Sequence, residues 1–235
     1  MRRAGTWCMV LVTFALACAT AQARPPAAPL ALMPLFGGEL PRRAVIDVAL
    51  RAYRCGRAQG YFSRPLVTVI DYSLPSTAKR LWVIDVERRR VLFNERVAHG
   101  ANSGDAYAHA FSNRLGSRQS SLGVFRTHDT YEGRHGLALR LAGLEPGIND
   151  NAHARAIVMH GAPYLSAEHI ARWGQAGRSW GCPAIPEGAH ERVIERIRGG
   201  SAVVAYYPDE DWLRGSRFLN CHRRATAEIP GPPRS

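Results

Sequence analysis

The sequence predicts an α+β fold dominated by β-structure, built as a sandwich or a mixed sheet with a few peripheral helices. Three observations support this fold class. Short apolar runs alternate with turn-forming stretches through the middle of the chain, helical periodicity is confined to segments before and after them, and no repeat is visible. With 46% hydrophobic residues among 235, the chain can also bury a core. We therefore expect one domain, from residue 42 to residue 222.

The predicted elements follow from periodicity and from turn-forming residues. The first helix covers Arg42 to Cys55, where apolar residues recur at helical spacing and Gly56 supplies a stop. A second helix begins after Ser166 and ends near Gly174, and a third covers Glu187 to Arg198. Charged stretches at 88–90 and 126–145 are interpreted as solvated turns or loops. The predicted strands are 66–72, 81–86, 91–97, 122–127, 137–141, 156–159 and 202–207.

The N-terminus has the features of a secretory signal peptide. Arg2 and Arg3 precede an apolar run that is too short to cross a bilayer, and Ala21-Gln22-Ala23 resembles a cleavage site. No later segment is long enough for a stable membrane span. We predict a signal peptide at 1–23, a linker rich in proline and alanine at 24–41 and a flexible tail at 223–235. The protein is then exported to the periplasm or cell envelope, and lipid anchoring at Cys18 is the alternative.

The chain is strongly basic, with 31 lysine and arginine residues against 19 acidic ones and a net charge of +12. Such an excess predicts a polyanionic partner. Export argues against nucleic acid, and so do arginines that are scattered along the chain without an aromatic stacking motif. An anionic polymer of the cell envelope and an anionic membrane surface remain as possible partners, and charge alone does not choose between them.

Removal of the signal peptide leaves three cysteines, Cys55, Cys182 and Cys221. An odd number means that at least one thiol is unpaired in an oxidising compartment. Cys55 and Cys221, near the two ends of the domain, either form one disulfide or are separate buried thiols. Cys182 is the thiol left for chemistry.

Two segments carry residues suited to nucleophilic catalysis. His160 follows an apolar run and precedes Gly161-Ala162-Pro163, which we expect to end the strand. Cys182 lies in the loop Ser179-Trp180-Gly181-Cys182-Pro183, where a glycine beside the thiol lets backbone N–H groups converge on a reacting carbonyl. An imidazole can take the proton of such a thiol and later protonate a leaving amine.

These residues resemble the signature of the L,D-transpeptidases of the YkuD type, in the branch described as the murein L,D-transpeptidase catalytic domain family. The resemblance extends through residues 66–208. It includes Asp71-Tyr72-Ser73-Leu74-Pro75-Ser76, Ala98-His99-Gly100, Phe111-Ser112-Asn113, Ser120-Ser121-Leu122-Gly123 and the segment 156–161.

The resemblance implies roles for individual residues. Cys182 is the expected nucleophile and His160 its acid/base partner, with the carbonyl of Gly161 orienting the imidazole. The N–H groups of Gly181 and Cys182 are expected to hold the oxyanion, and Ser179 to shape the loop by hydrogen bonding near the thiol.

Three further residues are expected to bind substrate. Arg178 can bind a carboxylate through two contacts, or is simply a solvated arginine. Trp180 either forms a wall of the cleft or packs in the core. His99 approaches the site or has a structural role.

The implied activity is acyl transfer between peptidoglycan stem peptides through a thioester, forming 3-3 crosslinks. Hydrolysis at the same site, as in an L,D-carboxypeptidase or endopeptidase, and a non-catalytic wall-binding module are the alternatives. His128 and His135 lack the spacing of zinc ligands and no C-x-x-C motif is present, so we expect no metal and no other cofactor. We expect a monomer.

Overall fold

The computed structural model describes residues 37–221, which fall within one compact unit. The predicted signal peptide, most of the linker and the tail lie outside the described residues, and their boundaries stay predictions. The helices are α1 (Arg43–Ala58), α2 (Ala167–Trp173), α3 (Glu187–Ile197) and α4 (Glu210–Gly215). The strands are β1 (Leu66–Asp71), β2 (Leu81–Asp85), β3 (Arg90–Glu95), β4 (Gly123–Gly133), β5 (Gly136–Gly143), β6 (Val158–Ala162), β7 (Ala184–Pro186) and β8 (Ala202–Tyr206).

The strands within residues 37–221 form one mixed sheet in the order β3-β2-β1-β8-β4-β5-β6-β7. β1 pairs parallel with β8 and β6 pairs parallel with β7, whereas the other neighbours are antiparallel. Strands β1 and β8 are buried along their whole length, and α1 packs against both. The predicted fold class is confirmed, and the mixed sheet rather than the sandwich is the architecture found.

Helix α1 is longer than the sequence predicts because Gly56 does not end it. The helix runs on to Ala58, and Gly56 lies inside it. A side chain at this position would place its Cβ 2.2 Å from the ring of Phe62. Gly56 therefore serves close packing against Phe62, and the expected stop at this residue was wrong.

The long hairpin of β4 and β5 replaces most of the loop expected at 126–145. Residues 130–133 pair in register with residues 136–139. The guanidinium of Arg140 lies 4.3 Å from the ring centre of Tyr131 on the neighbouring strand. Cross-strand contacts of this kind keep a charged segment extended, so reading it as a solvated loop was wrong.

Strand β6 changes partners along its length. Val158 and Met159 pair with β5, and from His160 onward the strand pairs with β7. The strand continues two residues past His160 and ends at Ala162, directly before Pro163, so it stops within the segment that was expected to end it. The glycine is needed there because a Cβ on Gly161 would lie 2.7 Å from Nδ1 of His190.

The helix termini after β6 follow the expected capping rules. The Ser166 hydroxyl accepts the backbone N–H of His169 at 3.1 Å, and Gly174 ends α2 with a φ of +69°. Two elements were not predicted, the short strand β7 and helix α4. The latter is capped by Asp209, which accepts the N–H of Trp212 at 2.7 Å.

A disulfide joins Cys55 of α1 to Cys221, with their Cα atoms 5.9 Å apart. It links the first helix to the end of the described chain. Cys182 is the free cysteine among residues 37–221. No helix in this range is long and apolar enough to span a membrane.

Candidate active site

Cys182 and His160 line one cleft with a volume of about 480 Å³. Parallel pairing of β6 with β7 explains how they meet. His160 lies opposite Ala184, the first residue of β7, and Cys182 lies two residues before that strand begins. The sheet therefore places the imidazole and the cysteine loop at the same end of neighbouring strands.

The imidazole of His160 is held in one orientation by its own neighbour. Its Nδ1 donates to the carbonyl of Gly161 at 2.8 Å, so Nε2 keeps a lone pair for a proton. The His135 ring stacks on it, with 5.0 Å between ring centres. Burial lowers the pKa of His160, and the nearby His135, Arg134 and His190 lower it further, against the opposing effect of the Gly161 hydrogen bond. The resting imidazole is therefore neutral at pH 7.

The thiol of Cys182 is also neutral at rest. Burial raises its pKa, and the backbone N–H of Val158 and the cation of Arg155 act in the opposite direction. Its Sγ donates weakly to the carbonyl of Ala156 at 3.7 Å. No hydrogen bond joins the thiol to His160 within residues 37–221. The site is thus arranged for proton transfer during attack, not as a preformed thiolate–imidazolium pair.

The cysteine loop is shaped by Ser179 and Gly181. Gly181 has a φ of +121°, and a Cβ there would lie 2.7 Å from the carbonyl of Gln119. The Ser179 hydroxyl accepts the N–H of Gly181 at 3.0 Å and donates to the carbonyl of Cys182 at 2.7 Å. The Gly181 N–H is thus engaged by the Ser179 hydroxyl, and its expected role in holding an oxyanion stays a prediction. In residues 37–221 no group accepts the N–H of Cys182, which stays available.

His99 fixes this loop through its backbone. Its carbonyl accepts the N–H of Ser179 at 2.9 Å, and its side chain is fully buried. Arg80 donates to Nδ1 at 2.8 Å, so Nε2 carries the proton and donates to the carbonyl of Gly104 at 3.2 Å. Burial and the Arg80 cation lower the pKa of His99 to about 4. Both ring nitrogens of His99 are engaged by the protein and the residue does not line the cleft, which favours the structural role over substrate binding.

A family model for the L,D-transpeptidase catalytic domain matches residues 40–206. The chain belongs to this family. The match includes the cysteine loop, the strand that carries His160 and the segment around His99, so the family resemblance predicted from the sequence is confirmed.

The solved structures that are similar to this chain have low sequence identity to it. An L,D-transpeptidase from Mycobacterium smegmatis is 13% identical, with 61% of this chain and 59% of that chain covered and a TM-score of 0.38. The helical cell shape determining protein Pgp2 from Campylobacter jejuni is 13% identical, covering 71% and 57%, with a TM-score of 0.43. The chain thus spans about three-fifths of the length of these proteins. A search of curated protein sequences finds no significant match.

Arg178 and Trp180 of the L,D-transpeptidase domain both line the cleft. Arg178 forms an ion pair with Asp105 and donates to the carbonyl of Gly104 at 3.3 Å. The Trp180 side chain is 68% exposed, and the guanidinium of Arg118 lies 4.6 Å from its ring centre. Trp180 is therefore not a core residue, and Arg178 is neither free nor fully solvated.

Arg155 is one of the cleft residues that sequence reasoning missed, as is His135. Arg155 lies in a turn before β6 and reaches across to the 112–121 segment, where all of its acceptors are neutral. They are the Ser112 carbonyl at 2.6 Å, the Ser121 hydroxyl at 2.5 Å, the Ser117 hydroxyl at 3.2 Å and the Gln119 carbonyl at 2.5 Å. No carboxylate within residues 37–221 pairs with it, so its charge is available to the cleft. No sequence motif marks it, because its closeness to Cys182 is created by the fold alone.

Ala156 completes the surroundings of the thiol. It has a φ of +52°, a left-handed conformation that costs a non-glycine residue about 1–2 kcal/mol. This conformation presents its carbonyl to the Cys182 thiol. Elsewhere among residues 37–221, no group of three or more histidine, cysteine, aspartate or glutamate side chains could hold a metal ion.

Proposed function

We propose that the protein is a cysteine-dependent peptidoglycan L,D-transpeptidase that forms 3-3 crosslinks between stem peptides. One observation carries the proposal. A free thiol and an imidazole whose Nδ1–H is held by Gly161 line the same cleft in a domain of this family. Such a pair supports acyl transfer through a thioester.

Acylation begins when a stem peptide places the carbonyl of its third residue, for example diaminopimelate, beside Cys182. The Nε2 atom of His160 accepts the thiol proton as sulfur attacks that carbonyl. The N–H of Cys182 donates to the developing oxyanion. His160 then returns the proton to the amine of the terminal D-alanine, which leaves, and a thioester remains on Cys182.

The second step transfers the acyl group from Cys182 to an acceptor amine and uses the same residues. An amine from a neighbouring stem attacks the thioester carbonyl, and Nε2 of His160 accepts its proton. The tetrahedral intermediate collapses, and the Cys182 sulfur leaves and regains a proton. The product is a new amide between two stems, and the enzyme returns to its resting state.

The charge of the chain supports an envelope substrate. The basic excess attracts the free carboxylates of stem peptides over distances up to about a Debye length, roughly 8–10 Å at ordinary ionic strength. The signal-peptide pattern at 1–23 supports export, and we propose the periplasm or cell envelope as the site of action. Stem peptides are the proposed partners.

The decisive experiment incubates the purified protein with tetrapeptide muropeptides and identifies the products by mass spectrometry. We expect a crosslinked dimer that has lost one D-alanine, together with a thioester adduct on Cys182 at early times. A tripeptide without a dimer would show hydrolysis instead, and neither product with unmodified Cys182 would favour a wall-binding module.

Substitutions of the two proposed catalytic residues test their roles in the same assay. Cys182→Ser and His160→Gln should each reduce turnover by at least about a hundredfold. His128→Gln is the matched control, since His128 is exposed on β4 away from the cleft. Full turnover by Cys182→Ser would overturn the nucleophile assignment.

A further inference from the structure

Exposed apolar side chains are concentrated around the cysteine loop. Among the described residues, the large hydrophobic side chains that are mostly exposed are Tyr107 at 57%, Leu115 at 66%, Trp173 at 62% and Trp180 at 68%. Each belongs to the segment 100–119 or the segment 173–180. Three of the four side chains are aromatic, and we call the surface that the four form the aromatic face. Exposed tryptophans so restricted in position indicate a binding surface.

The two segments are joined directly to each other beside the nucleophile. The N–H of Ala101 donates to the carbonyl of Ser179 at 2.7 Å, and the Arg118 guanidinium lies over the Trp180 ring. Arg178 links the segments again through its ion pair with Asp105. The aromatic face is therefore continuous with the wall of the candidate active site.

Two open grooves flank the cysteine loop on this face. The α2 groove, of about 330 Å³, is lined by Trp173, His169, Gln175 and Arg178, the last of which also lines the active-site cleft. The Leu115 groove, of about 350 Å³, is lined by Leu115 with Asn102, Ser117 and Gln119. Each groove has an exposed apolar side chain, but the Asn102, Ser117 and Gln119 side chains of the Leu115 groove already hydrogen-bond within the protein.

This composition selects the kind of ligand. A lipid surface or a stable protein partner favours a contiguous apolar patch, whereas here polar side chains separate the exposed rings. No hydrogen bond within residues 37–221 uses the side-chain polar atoms of His169 or Gln175, so these donors and acceptors are free. A pyranose ring offers an apolar C–H face for an indole and hydroxyl and amide groups for such side chains.

We propose that the aromatic face binds the glycan strand of peptidoglycan, with a sugar ring stacked on Trp173 in the α2 groove and the strand continuing past Trp180. The proposal rests on the proposed function, because it places the strand beside the cleft in which an attached stem peptide reacts. It assigns these side chains to the saccharide and leaves the cleft to the peptide.

The test uses the full chain with Cys182→Ser, so that binding is measured without turnover. The probes are glycan strands from which an amidase has removed the stem peptides, and a hexamer of N-acetylglucosamine. Intrinsic tryptophan fluorescence and calorimetry report binding. Trp82 and Trp212 are buried, so among the described residues Trp173 and Trp180 are the tryptophans whose fluorescence a bound ligand should change.

We expect both probes to bind, and Trp173→Ala to weaken glycan binding by at least tenfold. The matched control is Arg192→Gln, an exposed residue of α3 away from this face, which should leave the affinity unchanged. Circular dichroism and the melting temperature confirm that each variant is folded.

Three results would overturn the proposal. They are glycan binding that Trp173→Ala and Trp180→Ala both leave intact, binding of free stem peptides but not of stripped glycan, and a dimer in solution that Trp173→Ala dissociates. Failure of the proposed function has a different signature. Wild-type protein would then bind stripped glycan through Trp173 but form no crosslinked dimer from muropeptides.

Discussion

At the scale of single residues, the charge beside the nucleophile comes from Arg155. Its guanidinium lowers the pKa of the Cys182 thiol against the larger effect of burial, and its four hydrogen bonds hold it in place without neutralising it. Because a cation favours the thiolate, its loss should leave a less reactive sulfur. Arg155 therefore has an electrostatic role in addition to bracing the 112–121 segment.

We predict that Arg155→Gln slows alkylation of Cys182 by iodoacetamide roughly tenfold at pH 8, because the apparent thiol pKa rises. Arg155→Lys should retain most of the rate, since it keeps the charge. Arg192→Gln changes the net charge equally from a distant helix and should have no effect. The measurement is the alkylation rate from pH 6 to 10, and equal profiles for Arg155→Gln and wild type would contradict the electrostatic role.

The pKa of His160 sets a second prediction at this scale. The His160 imidazole must be neutral to accept the thiol proton. Because its pKa is lowered, it stays neutral at pH values somewhat below the ordinary histidine pKa of about 6.5. Activity should thus persist as pH falls through 6.5 and be lost only below it. The midpoint of the acid limb of kcat/KM for muropeptide turnover measures this.

Replacing His135 tests the cause of that lowering. Its ring stacks on His160 and contributes to the lower pKa, so His135→Gln should move the acid midpoint to higher pH. His128→Gln is the histidine control and should leave it unchanged. An acid midpoint above 6.5 in the wild-type protein would contradict the assignment.

Sequence reasoning at the residue level anticipated contacts that a short segment makes within itself. The contact between His160 and the Gly161 carbonyl and the shaping of the loop by Ser179 are local. It did not anticipate the contacts of His99 and Arg155, whose surroundings are built by segments distant in the chain. Nor did it anticipate that the Gly181 N–H donates to the Ser179 hydroxyl in the same loop.

At the scale of secondary-structure elements, Glu145 connects the sheet to α4. Its side chain is buried and accepts the N–H of Val124 at 2.8 Å and the indole N–H of Trp212 at 3.0 Å, and Ser216 donates to its other oxygen. These hydrogen bonds join β4 to the C-terminal helix. A buried network of this kind stabilises the contact between two elements only if every buried donor has an acceptor, because an unsatisfied buried donor is destabilising.

We predict that Glu145→Ala lowers the free energy of unfolding by roughly 3 kcal/mol, because it leaves buried donors of Val124 and Trp212 unsatisfied. Glu145→Gln should cost less, since the amide retains one acceptor oxygen. Glu210→Ala, an exposed position on α4, should change stability by less than about 0.5 kcal/mol. Urea unfolding followed by circular dichroism provides the values, and a loss below about 1 kcal/mol for Glu145→Ala would refute the connection.

Helices and strands were predictable where periodicity or capping signals were strong. They were less predictable where a segment is extended only because it pairs with a neighbouring strand. The Ser166 and Gly174 caps located α2, and apolar spacing located α1 and α3. The outer half of β4 is charged and carries no β-pattern of its own, so its extension depends on β5. Strand β7 is too short to show any period, and it exists because β6 runs beside it.

At the scale of the whole molecule, the disulfide between Cys55 and Cys221 joins residues that are 166 positions apart. Closing so long a loop restricts the unfolded chain, which in the chain-entropy account is worth roughly 5 kcal/mol. Both cysteines lie far from the cleft, at the packing of α1 against the end of the chain. The bond should therefore affect stability without affecting the reactivity of Cys182.

We predict that the double variant Cys55→Ser/Cys221→Ser melts at least about 10 °C below the wild type, because its unfolded state regains the freedom that the crosslink removes. Cys182→Ser is the matched cysteine control and should keep the wild-type melting temperature, since Cys182 is unpaired. Calorimetry with and without reductant measures the effect. Reductant should lower the melting temperature of the wild type but not that of the double variant. Peptide mapping without reduction identifies the bond directly. Free thiols at both Cys55 and Cys221 in that map, with equal melting temperatures, would show that packing alone holds α1 to the end of the chain.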